Sequence, residues 1–416
     1  MRIFKFGGAS VKDAEGVKNV AWVLQNTGYK DVLIIISAMG KMTNAFEKLT
    51  DAYFYKKADA TAILQQIQTY HNTIAAALFK SKNHRVFSAI ETLFNEVTHF
   101  INHHTPTDYN YVYDQIVPVA ELISTKIVSA YLNEIGIGNT WIDVRKYVKT
   151  NSDYRGAIVN WDSTQQRIST GISLEELYIT QGFIASDNNN NTTTLGREGS
   201  DYSAGIFAYC LNAKSVTIWK DVEGVLNADP RHFKETQLLQ QISYTEAIEL
   251  AFYGASVIHP KTLQPLQKKE IPLYVKSFIQ PEKKGTTVSR GIHIVPKTPC
   301  FIVKNNQLLL SISSLDFSFI VEQNISEIFR LLANYKMKVN LIQNSAISFS
   351  VCLDDKYHNF NRLLRELKKT FNTEFYKGVS LYTIRHFDEK AIQKIENNNN
   401  VLLKQVTKET VQIVIQ

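Results

Sequence analysis

This 416-residue chain contains only three cysteines, Cys210, Cys300 and Cys352, and they lie far apart. An odd number without metal-type spacing excludes a disulfide framework and a cysteine metal site, so we expect reduced core thiols in a cytoplasmic protein. Long hydrophobic runs are also lacking, because none approaches the ~20 residues that a membrane-spanning helix needs. Met1 leads directly into a strand rather than into a charged and then apolar leader, so we expect no secretory signal and no membrane anchor.

Basic residues are only slightly in excess of acidic ones, with 46 Lys and Arg against 39 Asp and Glu and a net charge of +7. The basic residues are spread along the chain without a stripe that alternates with aromatics, so we expect no nucleic-acid partner. A mild positive field suits small anionic substrates equally well. The hydrophobic content of 44% at this length predicts a globular protein of two or three domains.

Apolar β-rich runs alternate with helical patterns through the first part of the chain. The strand candidates are Arg2–Phe6, Val32–Ser37, Asn139–Val144, Leu177–Ala185, Ser215–Trp219 and Pro272–Phe278. The helix candidates between them are Ala14–Gln25, Pro118–Glu134, Ser200–Leu211 and Thr245–Tyr253. Continuous apolar strands separated by helices predict an α/β fold in which a mostly parallel sheet is sandwiched by helices. Asn44–His104 has helical periodicity and no strand signal, which predicts a helical insertion or lid.

The pattern changes at Pro296 and Pro299, which predict a linker between a first domain of residues 1–295 and a region of residues 300–416. Strand and helix candidates then follow in ferredoxin-like order, which predicts an α+β region. We expect a first unit at about 306–372, with a helix over Phe360–Phe371, and a shortened second unit at about 373–416 that includes a strand at 300–304. This region lacks the chemistry found upstream, so we expect it to serve binding or regulation.

The opening letters MRIFKFGGAS place Lys5 in a strand that leads into Gly7, Gly8 and Ser10. Glycines let backbone N–H groups come close to a ligand, and a following helix with a nearby ammonium group favours an anion. A plain tight turn explains the same letters, so the motif alone decides nothing.

Two further polar positions follow. The second strand ends in SAMGKMTN, where Thr43 either contacts a ligand at the carboxyl end of a parallel strand or caps the next helix. Glu121 lies in the strongly apolar stretch VPVAELISTK, where a buried carboxylate needs a compensating group. That group is either a structural cation or the ammonium group of a ligand, and the sequence leaves both open.

The stretch LGREGSDYSA is the most informative, because it places Arg197 in a glycine turn just before a helix that begins near Ser200 and Asp201. A guanidinium group in such a turn offers a bidentate fork for a carboxylate. Asp201 and Ser200 are also candidate helix caps.

A later strand ends in WKDVEGVLNADPR, which carries Lys220, Asp221 and Arg231 in a turn-rich loop. Such a loop either holds a ribose and phosphates or lies on the surface.

Together these motifs resemble the aspartokinases of the amino acid kinase fold. The matching stretches, in family order, are KFGGAS-V at 5–11, SAMGKMTN at 37–44, AELISTK at 120–126, GREGSDYSA at 196–204, KDVEGVLNADPR at 220–231 and FYGASVIHPKT at 252–262. The C-terminal region resembles the paired ACT domains that family members carry.

The resemblance implies transfer of the γ-phosphate of ATP to the side-chain carboxylate of L-aspartate, giving 4-phospho-L-aspartate, the first step of lysine, threonine and methionine biosynthesis. It implies ATP and Mg²⁺ as cofactors, no assigned protein ligand for the metal, and a homodimer or higher homo-oligomer joined through the ACT region. It gives catalytic roles to Lys5 and Asp201, and aspartate binding to Thr43, Glu121, Arg197 and Ser200. The ATP-binding residues it implies are Lys5, Gly7, Gly8, Ser10, Lys220, Asp221, Arg231, Ser256 and Val257.

Four positions depart from the family pattern. Ala9 replaces a threonine, Glu198 a glycine of Gly-Arg-Gly-Gly, Leu226 a stacking aromatic and Ser256 a lysine. None of these changes removes a core catalytic group, so the resemblance still implies an active enzyme. Two rival readings are another amino acid kinase and a catalytically silent ACT-type sensor. The FYGASVIHPKT stretch argues against the first, and the retention of Lys5, Arg197 and Asp201 against the second.

In the C-terminal region, Asn340 and Ala346 stand where lysine-regulated relatives carry acidic residues. We therefore expect lysine to inhibit this protein weakly or not at all. The alternatives are that another amino acid such as threonine binds there, or that the region serves only assembly.

Overall fold

The structure is a computed structural model that describes residues 1–255, 258–291, 293–316, 318–397 and 399–416. The chain divides into two compact units, and each is described by itself. The first unit comprises Met1–Val225, Leu238–Ile248 and Ile258–Ile294, and the second comprises Leu226–Gln237, Glu249–Val257 and Val295–Gln416. In the described part of the chain, no helix is both long and apolar enough to span a bilayer.

The first unit is built on an eight-stranded sheet. Strands of the first unit are β1 Arg2–Phe6, β2 Val32–Ile36, β3 Thr140–Trp141, β4 Tyr178–Gln181, β5 Ile184–Ser186, β6 Thr192–Thr194, β7 Ser215–Lys220, β8 Gln241–Ser243, β9 Leu273–Ser277 and β10 Thr286–Ser289. The sheet order is β3-β4-β2-β1-β7-β9-β10-β8, and β5 pairs separately with β6. All pairs from β3 to β9 are parallel. The strands β1, β2, β4, β7 and β9 therefore end at one edge of the sheet, which is the ligand-binding edge of open α/β sheets.

Helices surround this sheet. They are α1 Ala14–Thr27, α2 Met42–Tyr55, α3 Ala60–Leu78, α4 Arg85–His103, α5 Tyr109–Ile116, α6 Val119–Glu134, α7 Trp161–Gly171, α8 Gly199–Cys210, α9 Tyr244–Tyr253 and α10 Pro260–Lys268. All five residues of β2 are buried, as expected for a strand that is covered on both faces. The predicted fold class is confirmed. The predicted helical insertion corresponds to α2, α3 and α4.

Two predicted strands differ from the structure. The predicted strand Leu177–Ala185 is broken after β4, because Gly182 and Phe183 turn the chain and Phe183 has a φ of 69°. A Cβ on Gly182 would lie 2.5 Å from the Cβ of Ser200, so the chain passes close to the start of α8 only because this residue is glycine. The predicted strand Asn139–Val144 is reduced to the two residues of β3.

The C-terminal part of the second unit forms a six-stranded antiparallel sheet. Its elements are β11 Cys300–Ser314, α11 Glu322–Asn334, β12 Lys338–Asn344, β13 Ser348–Asp354, α12 Phe360–Leu367, β14 Phe371–Arg385, α13 Glu389–Glu396, β15 Val401–Val406 and β16 Thr410–Ile415. The order is β12-β13-β11-β14-β16-β15. The helix predicted to end at Phe371 ends at Leu367, because Phe371 is already the first residue of β14 and pairs with Ser314.

Two ferredoxin-like halves share the long strands β11 and β14, which pair along their length with a register shift after Lys304. One half adds β12 and β13, and the other adds β15 and β16. Two segments from earlier in the chain belong to the same unit. Ala228 forms a bridge with Phe301, and Glu249 lies 3.3 Å from the buried guanidinium group of Arg385.

Candidate functional site

A buried ion pair lies at the carboxyl ends of the parallel strands. The ammonium group of Lys5 on β1 lies 2.7 Å from Oδ1 of Asp201 on α8, and both side chains are almost inaccessible to solvent. The two groups form a close ion pair. Burial raises the pKa of Asp201, but the charges of Lys5 and Lys220 outweigh it and the pKa lies below its ordinary value. Asp201 is therefore ionised at neutral pH.

The turn after β1 supplies space around the Lys5 ammonium group. A Cβ on Gly7 would lie 3.4 Å from the Lys5 nitrogen, and a Cβ on Gly8 would lie 2.7 Å from the carbonyl oxygens of Ala38 and Gly40. Any larger residue at position 8 would clash with these oxygens. The Gly8 carbonyl oxygen also accepts a hydrogen bond from the Gly40 N–H. The hydroxyl of Ser10 is buried and has no hydrogen-bond partner among the residues that the structure describes, so it can bond a ligand in this turn.

Glu121 on α6 is the most strongly perturbed group near this ion pair. Burial raises the pKa of Glu121 to about 8, although the backbone N–H of Ala38 and the charge of Lys5 both lower it. Its Oε2 is buried without a hydrogen-bond partner. The carboxyl group is therefore mostly neutral at pH 7, and it lacks the full compensation that a structural ion pair would give. This favours the ligand-ammonium alternative over the structural cation.

The glycine turn before α8 exposes Arg197 and buries Ser200. Glu198 lies between Arg197 and Ser200 and has a φ of 55°. It is the N-cap residue of α8, although its side chain makes no capping hydrogen bond. The left-handed region costs an L-residue roughly 1–2 kcal/mol, which gives a physical reason why a glycine is expected here. Neither Asp201 nor Ser200 is the cap. Both lie in the first turn, where the helix dipole favours a carboxylate.

Thr43 lies half-buried in the first turn of α2, directly after the loop that follows β2. The N-cap of α2 is Lys41, so the alternative that Thr43 caps this helix is wrong.

Lys220 is the last residue of β7, and Asp221 follows it in an exposed position. Lys220 acts on Asp201 electrostatically, which links the end of β7 to the buried ion pair. The neighbouring Trp219 is buried with its indole N–H unpaired, and the Lys276 ammonium lies 5.5 Å from its ring centroid.

Arg231 belongs to the second unit, where its guanidinium group binds the carboxylate of Asp229 through contacts of 2.5 to 3.0 Å. Hydrogen bonds from Arg231 lower the pKa of Asp229 to about 2. Leu226 begins the same segment. The remaining predicted nucleotide contacts, Ser256 and Val257, lie outside the described residues.

The site therefore combines a buried ammonium group, an ionised carboxylate, a neutralised carboxyl group and an exposed guanidinium group. Such a set can hold a dipolar amino acid and neutralise developing negative charge. Within the described ranges, no group of three or more His, Cys, Asp or Glu side chains is arranged to hold a metal ion.

Comparisons with known proteins give a consistent result. Residues 1–277 match the model of the amino acid kinase family. The lysine-sensitive aspartokinase 3 of Escherichia coli is 31% identical over 402 residues, which cover 92% of this chain and 86% of that protein. The chloroplastic bifunctional aspartokinase/homoserine dehydrogenase 2 of Arabidopsis thaliana is 27% identical over 393 residues, which cover 90% of this chain but only 42% of that protein. The crystal structure of E. coli aspartokinase III with aspartate and ADP matches with a TM-score of 0.81 and 27% identity, and covers 100% of this chain and 96% of that one.

Proposed function

Because this chain belongs to the amino acid kinase family, and within it to the aspartokinases, we propose that it transfers the γ-phosphoryl group of ATP to the side-chain carboxylate of L-aspartate. The observation that carries the proposal is the buried pair of Lys5 and Asp201 at the carboxyl edge of the sheet. The same ammonium group acts electrostatically on Glu121, whose buried carboxyl oxygen lacks a partner.

The chemistry needs charge neutralisation rather than a general base. The acceptor carboxylate has an ordinary pKa near 3.9, so it is already ionised at neutral pH. The barrier arises because two anions must approach each other, and preorganised cations and N–H groups lower it. Lys5 supplies the cation at the transferring group, and Asp201 holds its ammonium group in place.

The aspartate substrate would be held by its own charges. Arg197 binds a carboxylate of the substrate, Glu121 receives its α-ammonium group, and Thr43 and Ser200 complete the pocket. The nucleotide side comprises Lys5, Gly7, Gly8, Ser10, Lys220 and Asp221 of the first unit, and the roles of Arg231, Ser256 and Val257 stay predictions from the sequence resemblance.

Mg²⁺ enters the proposal together with ATP, where it would neutralise phosphate oxygens. This ion keeps several waters and binds mainly through the phosphates, so it needs few protein ligands. The ionised carboxylate of Asp201 is paired with Lys5, so it fits the ion only as a negative charge near its water shell, and no protein ligand is assigned to the metal.

The test is release of ADP from Mg-ATP by the purified full chain, with and without L-aspartate. Glutamate, acetylglutamate and UMP serve as control acceptors. We expect ADP release that depends on aspartate and falls to background with the others. Activity on another acceptor would reassign the substrate, and no activity on any of them would favour a silent sensor.

We further propose that residues 1–295 form the catalytic domain and that residues 300–416 join copies of the chain into a homodimer or higher homo-oligomer. The edge strands β12 and β15 expose apolar side chains, Ile342 at 40% and Val406 at 55%. Exposed strand edges favour pairing with another chain. Sedimentation at micromolar concentration tests this, and a monomer would contradict it.

A further inference from the structure

Helix α5, Tyr109–Ile116, contacts α2 and directly precedes α6, which carry two proposed aspartate-binding residues, and it also contacts β6, which leads into the Arg197 turn. Its Tyr113 hydroxyl donates a 2.7 Å hydrogen bond to Glu47, which lies one turn after Thr43 on α2. The chain runs from α5 almost directly into α6, which carries Glu121. The third connection is made by Asp114, and it is the strongest of the three.

The carboxylate of Asp114 ties two separate stretches of backbone together. Its Oδ2 accepts hydrogen bonds from the N–H of Thr194 at 2.8 Å and from the N–H of Arg155 at 3.0 Å. Its Oδ1 accepts a bond from the Thr194 hydroxyl at 2.8 Å. The Asp114 side chain is completely buried, so these bonds are its compensation for losing water.

These bonds fix the last residue of β6, three positions before Arg197. The Thr194 carbonyl oxygen accepts a 2.9 Å bond from the Ala157 N–H, and the next residue, Leu195, donates a 2.8 Å bond to Phe183. The backbone is therefore held on both sides up to Leu195. Beyond this point only Gly196, with a φ of 78°, separates the anchored strand from Arg197.

We propose that Asp114 is a positioning residue for aspartate binding, which acts by anchoring β6 so that the Arg197 turn is presented in its binding geometry. The inference rests on the proposed function. It concerns the affinity for aspartate and not the handling of the nucleotide, because the strand that Asp114 anchors leads to Arg197 and neither Thr194 nor Arg155 is a proposed nucleotide contact.

The ionisation of Asp114 gives the anchor a pH dependence. Burial raises the pKa of Asp114 to about 6, although its hydrogen bonds and the charge of Arg155 lower it. The other titratable groups around it are the phenols of Tyr113 and Tyr154. A protonated Asp114 can still accept both N–H bonds at Oδ2 and can donate from Oδ1 to the Thr194 hydroxyl, but the three bonds are then no longer strengthened by a negative charge. The anchor is therefore intact above about pH 6 and weakens below it.

The experiment measures KM for aspartate and for ATP, together with kcat, in the full-length chain and in Asp114→Asn. We expect KM for aspartate to rise about tenfold at pH 7.5, the loss typical of one hydrogen bond to a charged group, with KM for ATP unchanged. The ratio of variant to wild-type KM for aspartate should fall towards one below about pH 6, because the wild-type carboxyl is then neutral as well. Titration of Glu121 affects both proteins equally and cancels in this ratio.

Two neighbouring threonines provide a matched pair of variants. Thr194→Val removes one bond to Asp114, whereas Thr193→Val removes a hydroxyl that is equally buried on the same strand but bonds Thr150 at 2.7 Å. We expect only Thr194→Val to raise KM for aspartate, so the pair keeps the inference testable even if Asp114→Asn does not fold. Equal rises in both KM values, a pH-independent ratio, or equal effects of the two threonine variants would overturn it. Failure of the proposed function is distinct, because the wild-type chain would then release no ADP with aspartate.

Discussion

The pH dependence of aspartate binding follows from the state of Glu121 in the free enzyme. Burial raises the pKa of this carboxyl group to about 8, so it carries a proton at neutral pH. Binding the α-ammonium group of aspartate requires the ionised form. A difference of one pH unit corresponds to about 1.4 kcal/mol, so KM for aspartate should be about tenfold higher at pH 7 than its limiting value above pH 8, and about a hundredfold higher at pH 6.

The assay is aspartate-dependent ADP release at saturating Mg-ATP between about pH 6 and 8.5, with KM for aspartate and KM for ATP measured at each pH. Calorimetry in buffers of different ionisation enthalpy should also detect release of most of one proton per aspartate bound at pH 7. The matched control is Glu121→Gln, whose KM for aspartate should be high and free of this dependence. A flat profile in the wild-type chain, or the same slope in Glu121→Gln, would refute the reasoning.

The raised pKa of Glu121 also predicts that the stability of the free protein depends on pH. The folded state holds the Glu121 proton more tightly than the unfolded state, because the folded pKa of about 8 exceeds the ordinary glutamate pKa of 4.5. The contribution of this proton to the free energy of unfolding is fully present below about pH 4.5 and is lost as the pH rises through 8. Thermal unfolding of wild type and Glu121→Gln should therefore diverge with rising pH, with the glutamine variant relatively more stable at pH 8.5.

Three further outcomes follow from the site and from the C-terminal sheet. Lys5→Ala should lower kcat by about 10²–10³, the usual effect of losing one transition-state stabiliser, whereas Lys12→Ala in the same turn should stay near wild type. Near-normal kcat in folded Lys5→Ala would contradict the assignment. Arg197→Ala should raise KM for aspartate by one to two decades, roughly 1.5–3 kcal/mol, and a rise mainly in KM for ATP would show that its role is wrong. Lysine should give half-inhibition only above about a millimolar, because the Asn340 amide oxygen already accepts a 2.8 Å hydrogen bond from Lys304. Titration of lysine and threonine into the ADP assay decides this.

The sequence predicts those parts of the fold that depend on local pattern. Apolar runs such as Val32–Ile36 are buried on both faces, and their composition alone identifies them as central strands. The break at Gly182 and Phe183 could not be predicted in the same way, because it depends on the close approach of Ser200 from another element. The full length of β14 was also missed, since residues 374–378 are all exposed and their sequence, EFYKG, does not alternate between apolar and polar residues.

The residues of the candidate site also differ in whether the sequence alone can predict them. Lys5, Glu121 and Asp201 lie in short motifs whose residue types are informative on their own, and the structure brings all three within electrostatic range. Asp114 has no such signal, because its bonding partner Thr194 lies 80 positions away along the chain. Arg231 was predictable as a polar loop residue, but its pairing with Asp229 required the backbone of the turn.

The two long strands of the C-terminal sheet have a consequence for how the chain is made. β11 and β14 are each 15 residues long and belong to both ferredoxin-like halves. Cys300 pairs with Arg385, so the beginning of β11 leaves the ribosome well before its neighbour has been synthesised. The half that adds β12 and β13 needs β14 only as far as Val379, so all of its strands are synthesised before β15 and β16. The other half must wait for β16, and until the end of β14 arrives the segment Cys300–Lys304 of β11 is an unpaired strand edge that is prone to wrong pairing.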